Sequence, residues 1–276
     1  MTLNKTFTKR LALATAFCLP LLVSVNASAH NQFLTPTSTI VNGKAPWVSF
    51  DAAAATSPFV LDHVGLNVSN LIITAADGSI VKAENIFNGK LRSSFDLKIE
   101  QTGTYKVSLV NDGINASYKE NGVAKRWRGS AENFAKEVPA KAEDLVVTHA
   151  QGRVETFVTN GKPNLTAVKP TGKGLELSAI THPNDLVDGE AAQFQLLLDG
   201  KAAADVEVNL IAGGTRYRHK LDENTFKTDK NGQFSVTWQG AGLYWLNASI
   251  KDNKSNVAAA KERRASYTAT LEVLPQ

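Results

Sequence analysis

Histidines carry most of the chemistry this chain offers, and there are five: His30, His63, His149, His182 and His219. The only cysteine, Cys18, and the only methionine, Met1, both precede them. Beyond Cys18 a disulfide scaffold, a cysteine nucleophile and a thiolate or thioether metal site are therefore excluded. The donors that remain, imidazole and carboxylate, suit Ni, Co, Fe, Zn or Cu(II) rather than Cu(I) or iron–sulfur clusters. His30 stands out by position. Met1 to Arg10 holds Lys5, Lys9 and Arg10 and no acid, Leu11 to Val25 is apolar with a breaking Pro20, and Ala27 and Ala29 supply small residues. That order predicts a cleaved signal peptide over residues 1–29, export to the periplasm, and His30 as the first residue of the processed chain. A free α-amine and an imidazole on one residue form a two-nitrogen chelate. The amine pKa of about 7.7–8.0 lets a metal displace its proton near neutral pH.

The other histidines need more from the fold. His63 follows Asp62 in Phe59-Val60-Leu61-Asp62-His63. Neighbours on a strand face opposite ways, so both reach one metal only in a loop or at a strand end; otherwise Asp62 orients a ligand from behind. A shared site requires that His30 and the 58–65 loop meet at one end of the first domain. His182 precedes Pro183, an extended turn suited to capping a domain junction, with ligation as the other option. His219 sits in Arg216-Tyr217-Arg218-His219-Lys220. On a strand, the three cations would share one face, fit for an anion, and Tyr217 and His219 the other, fit for a metal or a polar pair. His149 ends an apolar strand and reads as structural. Lys125-Arg126-Trp127-Arg128 either stacks on a flat or anionic ligand through cation–π contact or is a core indole with solvated flanks.

The elements that must position these residues read as all-β. Short β-prone runs alternate with turns such as Ala76-Asp77-Gly78-Ser79, Asp199-Gly200-Lys201 and Thr228-Asp229-Lys230-Asn231-Gly232. Gly103-Thr104-Tyr105 and Gly242-Leu243-Tyr244 each open a strand with the glycine–tyrosine spacing of a tyrosine corner. Its appearance twice, about one domain apart, predicts two immunoglobulin-like β-sandwich domains in tandem, residues 30–170 and 171–276. The expected joint is the Gly- and Pro-rich stretch 160–173, which predicts two separable folding units. Ser130 to Lys136 is expected to form a turn or two of helix, stopped by Pro139. Asp144–His149 and Val154–Val158 read as a hairpin turning at Gln151-Gly152.

Some functions are disfavoured. The net charge is +4, and three of those cations lie in the leader, so the rest is near neutral and no nucleic-acid partner is expected. Neither a P-loop, a dinucleotide fingerprint, a Gly-x-Ser-x-Gly elbow nor a His-Glu-x-x-His is present, and no enzyme is expected. The chain resembles a family of bacterial periplasmic proteins grouped with nickel/cobalt transport components and otherwise filed as a domain of unknown function. Ala29-His30, the run Arg153 to Thr159, the two Asp turns at 199–201 and 228–232, and Gly242-x-Tyr244 carry the resemblance. It implies an exported sandwich protein linked to transition-metal uptake. The leading expectation is a protein that binds a divalent metal or its chelate and hands it to a membrane uptake system. Nickel or cobalt comes first and iron or copper next, with His30, His63, Asp62, His219 and His182 as candidate ligands. The alternative is a metal-free immunoglobulin-like accessory or adhesion module of the cell envelope.

Overall fold

Alternating side chains build the sheets. Along Ala191–Leu198 the buried positions are Ala192, Phe194 and Leu196, every second residue, as a strand with one covered face requires. The computed structural model describes residues 30–276, so the expected leader and its cleavage site lie outside the described residues. Three sheets result. A five-stranded sheet runs Asn31–Pro36, Trp47–Ala55, Ser93–Lys98, Glu84–Asn88, with Val64–Gly65 also paired to Trp47–Ala55. A four-stranded sheet holds Leu175–Ala179, Ala191–Leu198 and Lys201–Ala202, with Gln233–Thr237 on Ala191–Leu198. Both pack on one ten-stranded sheet. Its central strands are Glu207–Ala212, Gly242–Asp252, Glu262–Val273, Glu143–Asn160 and Gly103–Glu120.

Each small sheet closes a core against its half of the large one. Leu34, Phe50, Phe95 and Leu97 meet Tyr105, Val107, Leu109 and Val154 in the first half. Leu177, Phe194, Leu196 and Trp238 meet Tyr244, Leu246, Tyr267 and Leu271 in the second. The fold is therefore all-β, two sandwiches in tandem. Both tyrosine corners form as expected. The Tyr105 hydroxyl accepts the Gln101 N–H at 2.9 Å, and the Tyr244 hydroxyl lies 2.9 Å from the carbonyl oxygens of Gln239 and Gly240. Gly103 (φ +124°) and Gly242 (φ +136°) both take backbone conformations that a side chain disfavours. The expected helix is present over Ala131–Glu137, with the Ser130 hydroxyl accepting the Asn133 N–H.

Two local readings are corrected. There is no hairpin at Gln151-Gly152: Glu143–Asn160 is one strand, in which Gln151 pairs with Asp112 and Gly152 with Asn111. A ladder partner on each side holds Gly152 extended, which its local turn chemistry did not foretell. Arg216–Lys220 is no strand either, because Thr215–Tyr217 forms a turn of 3₁₀ helix. Arg218 turns inward there to the carbonyls of Ala212 and Gly213, so the expected three-cation face does not form.

The halves are tied by more than a linker. Glu143–Asn160 runs parallel to Glu262–Val273, in register from Thr148 opposite Glu262 to Thr156 opposite Thr270. Along that seam lies a buried polar network. Glu155 accepts from Ser108 (2.8 Å), Arg153 (3.1 Å) and Tyr267 (3.0 Å). Arg153 also pairs with Glu176, whose carboxylate takes the N–H groups of Thr171, Gly172 and Lys173. In the expected joint, Ala167 and Val168 are buried, and Val168 belongs to the second core.

Candidate metal-binding site

His30 immediately precedes Asn31–Pro36, and His63 immediately precedes Val64–Gly65. Both strands pair with the end of Trp47–Ala55: Asn31 lies opposite Ala55, and Val64 opposite Ala54. The two histidines are thus delivered to the same end of the five-stranded sheet from either side of one strand. Their rings stack, with centroids 3.6 Å apart and planes 3° from parallel. Both residues are exposed.

Their neighbours hold this approach. Thr56, just past the central strand, is clamped twice. Its carbonyl accepts the Asn31 side-chain amide at 3.0 Å, and its N–H donates to Asp62 Oδ1 at 3.0 Å. Asn31 follows one histidine and Asp62 precedes the other, so the Thr56 peptide links the two segments. Asp62 spends one oxygen on this clamp, and the bond goes to the Thr56 backbone rather than to either histidine ring. The 58–65 loop is pinned to the second half by the Thr215 hydroxyl on the Pro58 carbonyl (3.1 Å). Phe59 packs edge to face on Phe33, within a cluster that includes Ile211 and Trp245. The Trp245 indole N–H donates to the Gln32 carbonyl at 2.8 Å. Asn31 and Trp245 gave no sequence signal, because their roles exist only once strands far apart in the chain are paired.

Chemically, the site offers two imidazoles, plus a third nitrogen if processing frees the amine of His30. Ring lone pairs lie in the ring planes, so a parallel stack aims them side by side rather than at one point. Ligation requires the rings to splay. Exposed imidazoles do this at little cost, because the terminal torsion is broad. Among the described residues no group of three or more His, Cys, Asp or Glu side chains converges.

A family model described as "Domain of unknown function (DUF4198)" matches residues 27–252. The chain belongs to that family. The family description names no activity, metal or location, and no curated protein matches this DUF4198 chain. Similar solved structures include the D0-D1 domain of Intimin, 16% identical over 87% of this chain and 97% of that one, with a TM-score of 0.22. A DUF3823 family protein from Bacteroides uniformis is 11% identical over 78% of this chain and 93% of its own, with a TM-score of 0.25. Fibronectin(III)-like modules of Clostridium thermocellum CbhA are 10% identical over 88% and 95%, with a TM-score of 0.20.

The remaining candidates in the DUF4198 chain lie apart from the pair. His182 sits at the seam between the sandwiches. Its Nε2 lies 3.1 Å from both the Asn164 carbonyl and the Thr104 hydroxyl, and its Nδ1 accepts the Asn184 N–H at 3.1 Å. Both nitrogens are therefore engaged, and burial holds the imidazole below the usual histidine pKa. His219 is exposed in the loop after the 3₁₀ turn, and Tyr217 projects outward at 86% exposure. His149 is buried, with Nε2 2.5 Å from Asp112 Oδ1 and Nδ1 3.2 Å from the Ser255 hydroxyl. Trp127 donates to Glu137 and packs edge to face on Phe134, on the helix side of the sheet.

Proposed function

We propose that this chain is a periplasmic protein that binds a divalent transition metal through His30 and His63 and passes it to a membrane uptake system. The stack of the two rings carries the reading. Two imidazoles whose residues stand 33 positions apart in sequence sit within one ligand sphere of each other, in a region held by the Thr56 clamp. A first-row metal takes imidazole nitrogens at about 2.0–2.1 Å, so a modest splay admits one ion between the ring edges. The amine of a processed His30 would add a third nitrogen and leave positions open for transfer.

An open three-nitrogen site suits cargo better than a structural ion, which is typically enclosed by four ligands. Nitrogen donors alone rank Cu(II) above Ni and Ni above Co. Nickel or cobalt comes first here on family resemblance, and metal supply in the compartment decides the occupant. Equilibrium dialysis of metal-stripped protein that begins at His30 tests the proposal. The expected result is binding of at least one of these ions far tighter than millimolar. Affinities weaker than about 1 mM for all of them, only about 4 kcal/mol, would leave the metal-free module as the better description.

A further inference from the structure

The outer face of the large sheet carries a second site of different character. Beyond the sandwiches, Val123–Gly129, Gly103–Glu120 and Glu143–Asn160 continue as a three-stranded extension, flanked by Glu262–Val273. The helix Ala131–Glu137 packs on one side of it, through Phe134 against Ile114, Ala116 and Val147. The opposite side is open and forms a groove of about 540 Å³. Cross-strand register sets its layout. Arg126 stands opposite Ser117, which stands opposite Val146, and in the next row Arg128, Asn115 and Thr148 are aligned. Arg264 closes the far side one row further on, opposite Ala150. Strands about 4.8 Å apart and rows about 6.8 Å apart place Arg128 and Arg264 roughly 16 Å apart at the backbone. Their side chains line the groove together with Asn115, Ser117 and Thr148 and with the apolar Ala116, Trp127 and Val146.

Three guanidinium groups line this groove and no carboxylate does. Among the described residues the Arg126 side chain makes no hydrogen bond or ion pair, Arg128 spends its Nε on Asn115, and Arg264 spends its Nε on Glu262. The remaining Nη groups are unspent. Guanidinium forks match phosphate oxygens two at a time, and the neutral hydroxyl and amide floor adds donors without opposing charge. Trp127 and Val146 are the large apolar residues of its lining, and the Trp127 ring packs edge to face on Phe134.

We infer that this groove binds a soluble, phosphate-bearing small ligand, with Arg126, Arg128 and Arg264 gripping the phosphate and Asn115, Ser117 and Thr148 completing its hydrogen bonds. The inference stands independently of the metal site. Calorimetric titration of full-length, metal-stripped protein with inorganic pyrophosphate tests it. Expected is saturable binding that weakens about tenfold or more in Arg126→Gln with Arg128→Gln, since each removes charge-assisted bonds. Ser117→Asp, which keeps every arginine and places an acid on the floor, should weaken it as much. Lys90→Gln, an exposed cation elsewhere, and His63→Ala should leave it unchanged. Absence of saturable binding, equal losses in Lys90→Gln and the arginine variant, or binding only to vesicles of anionic phospholipid would overturn the inference.

Discussion

Removing one oxygen from Tyr267 asks whether the two sandwiches fold as one. Tyr267 is fully buried on Glu262–Val273, and its hydroxyl donates to Glu155 Oε2 at 3.0 Å on the neighbouring parallel strand. Burial and the Glu155 carboxylate hold that phenol well above its usual pKa, so it is a donor at every working pH. Tyr267→Phe keeps the ring and leaves a carboxylate oxygen without that partner in a dry seam. Glu155 retains Ser108 and Arg153, both on its other oxygen. A hydrogen bond to a buried charge contributes about 1.5–3 kcal/mol. At about 2–4 °C per kcal/mol for a chain of this size, the midpoint should fall by about 3–12 °C. Thermal unfolding followed by near- and far-ultraviolet circular dichroism reads it. A single transition should move as a whole in both signals. An unchanged midpoint, or two transitions of which only one moves, would refute the shared-sheet account and restore two independent units.

Two further perturbations probe the same frame. Burial lowers the folded pKa of His182, so the unfolded chain binds its proton more readily and stability is lost as pH falls below about 6.5 toward the folded value; chemical denaturation at pH 7.5 and 5.5 should show a larger acid loss for the wild type than for His182→Gln, and parallel losses would contradict it. Gly103→Ala would place a Cβ 2.7 Å from the Ala76 Cβ at φ +124° and should cost about 2–5 kcal/mol. Gly122→Ala, at φ +77° with open space around it, should cost about 1–2 kcal/mol; equal costs would mean that the close approach at Gly103 contributes nothing.

What was legible in the sequence were features written over a few residues. The two glycine–tyrosine corners, the short helix before Pro139 and the turns at 76–79, 199–201 and 228–232 depend on local chemistry, and they appear where they were expected. The misread segments are those in which distant partners override local preference. Gln151-Gly152 has turn residues yet lies inside a long ladder, and Arg216–Lys220 is β-prone only until Arg218 finds the Ala212 and Gly213 carbonyls. Nothing in either half announces the parallel pairing of Thr148–Thr156 with Glu262–Thr270 that joins them. His30 and His63 were each visible as candidates. Their meeting depended on Asn31 and Val64 pairing with successive residues, Ala55 and Ala54, at one strand end.

The metal proposal is tested most directly by moving the His30 amine. Two proteins are compared by competition titration with the same ion: one that begins at His30, and one with a single extra alanine before it. The imidazoles, the Thr56 clamp and the fold are common to both, and only the amine leaves the chelate. Losing one of three nitrogens should weaken binding by at least about tenfold, because even changes behind the ligands cost about 10–100-fold. Equal affinity for the two proteins would contradict a site built on the His30 amine.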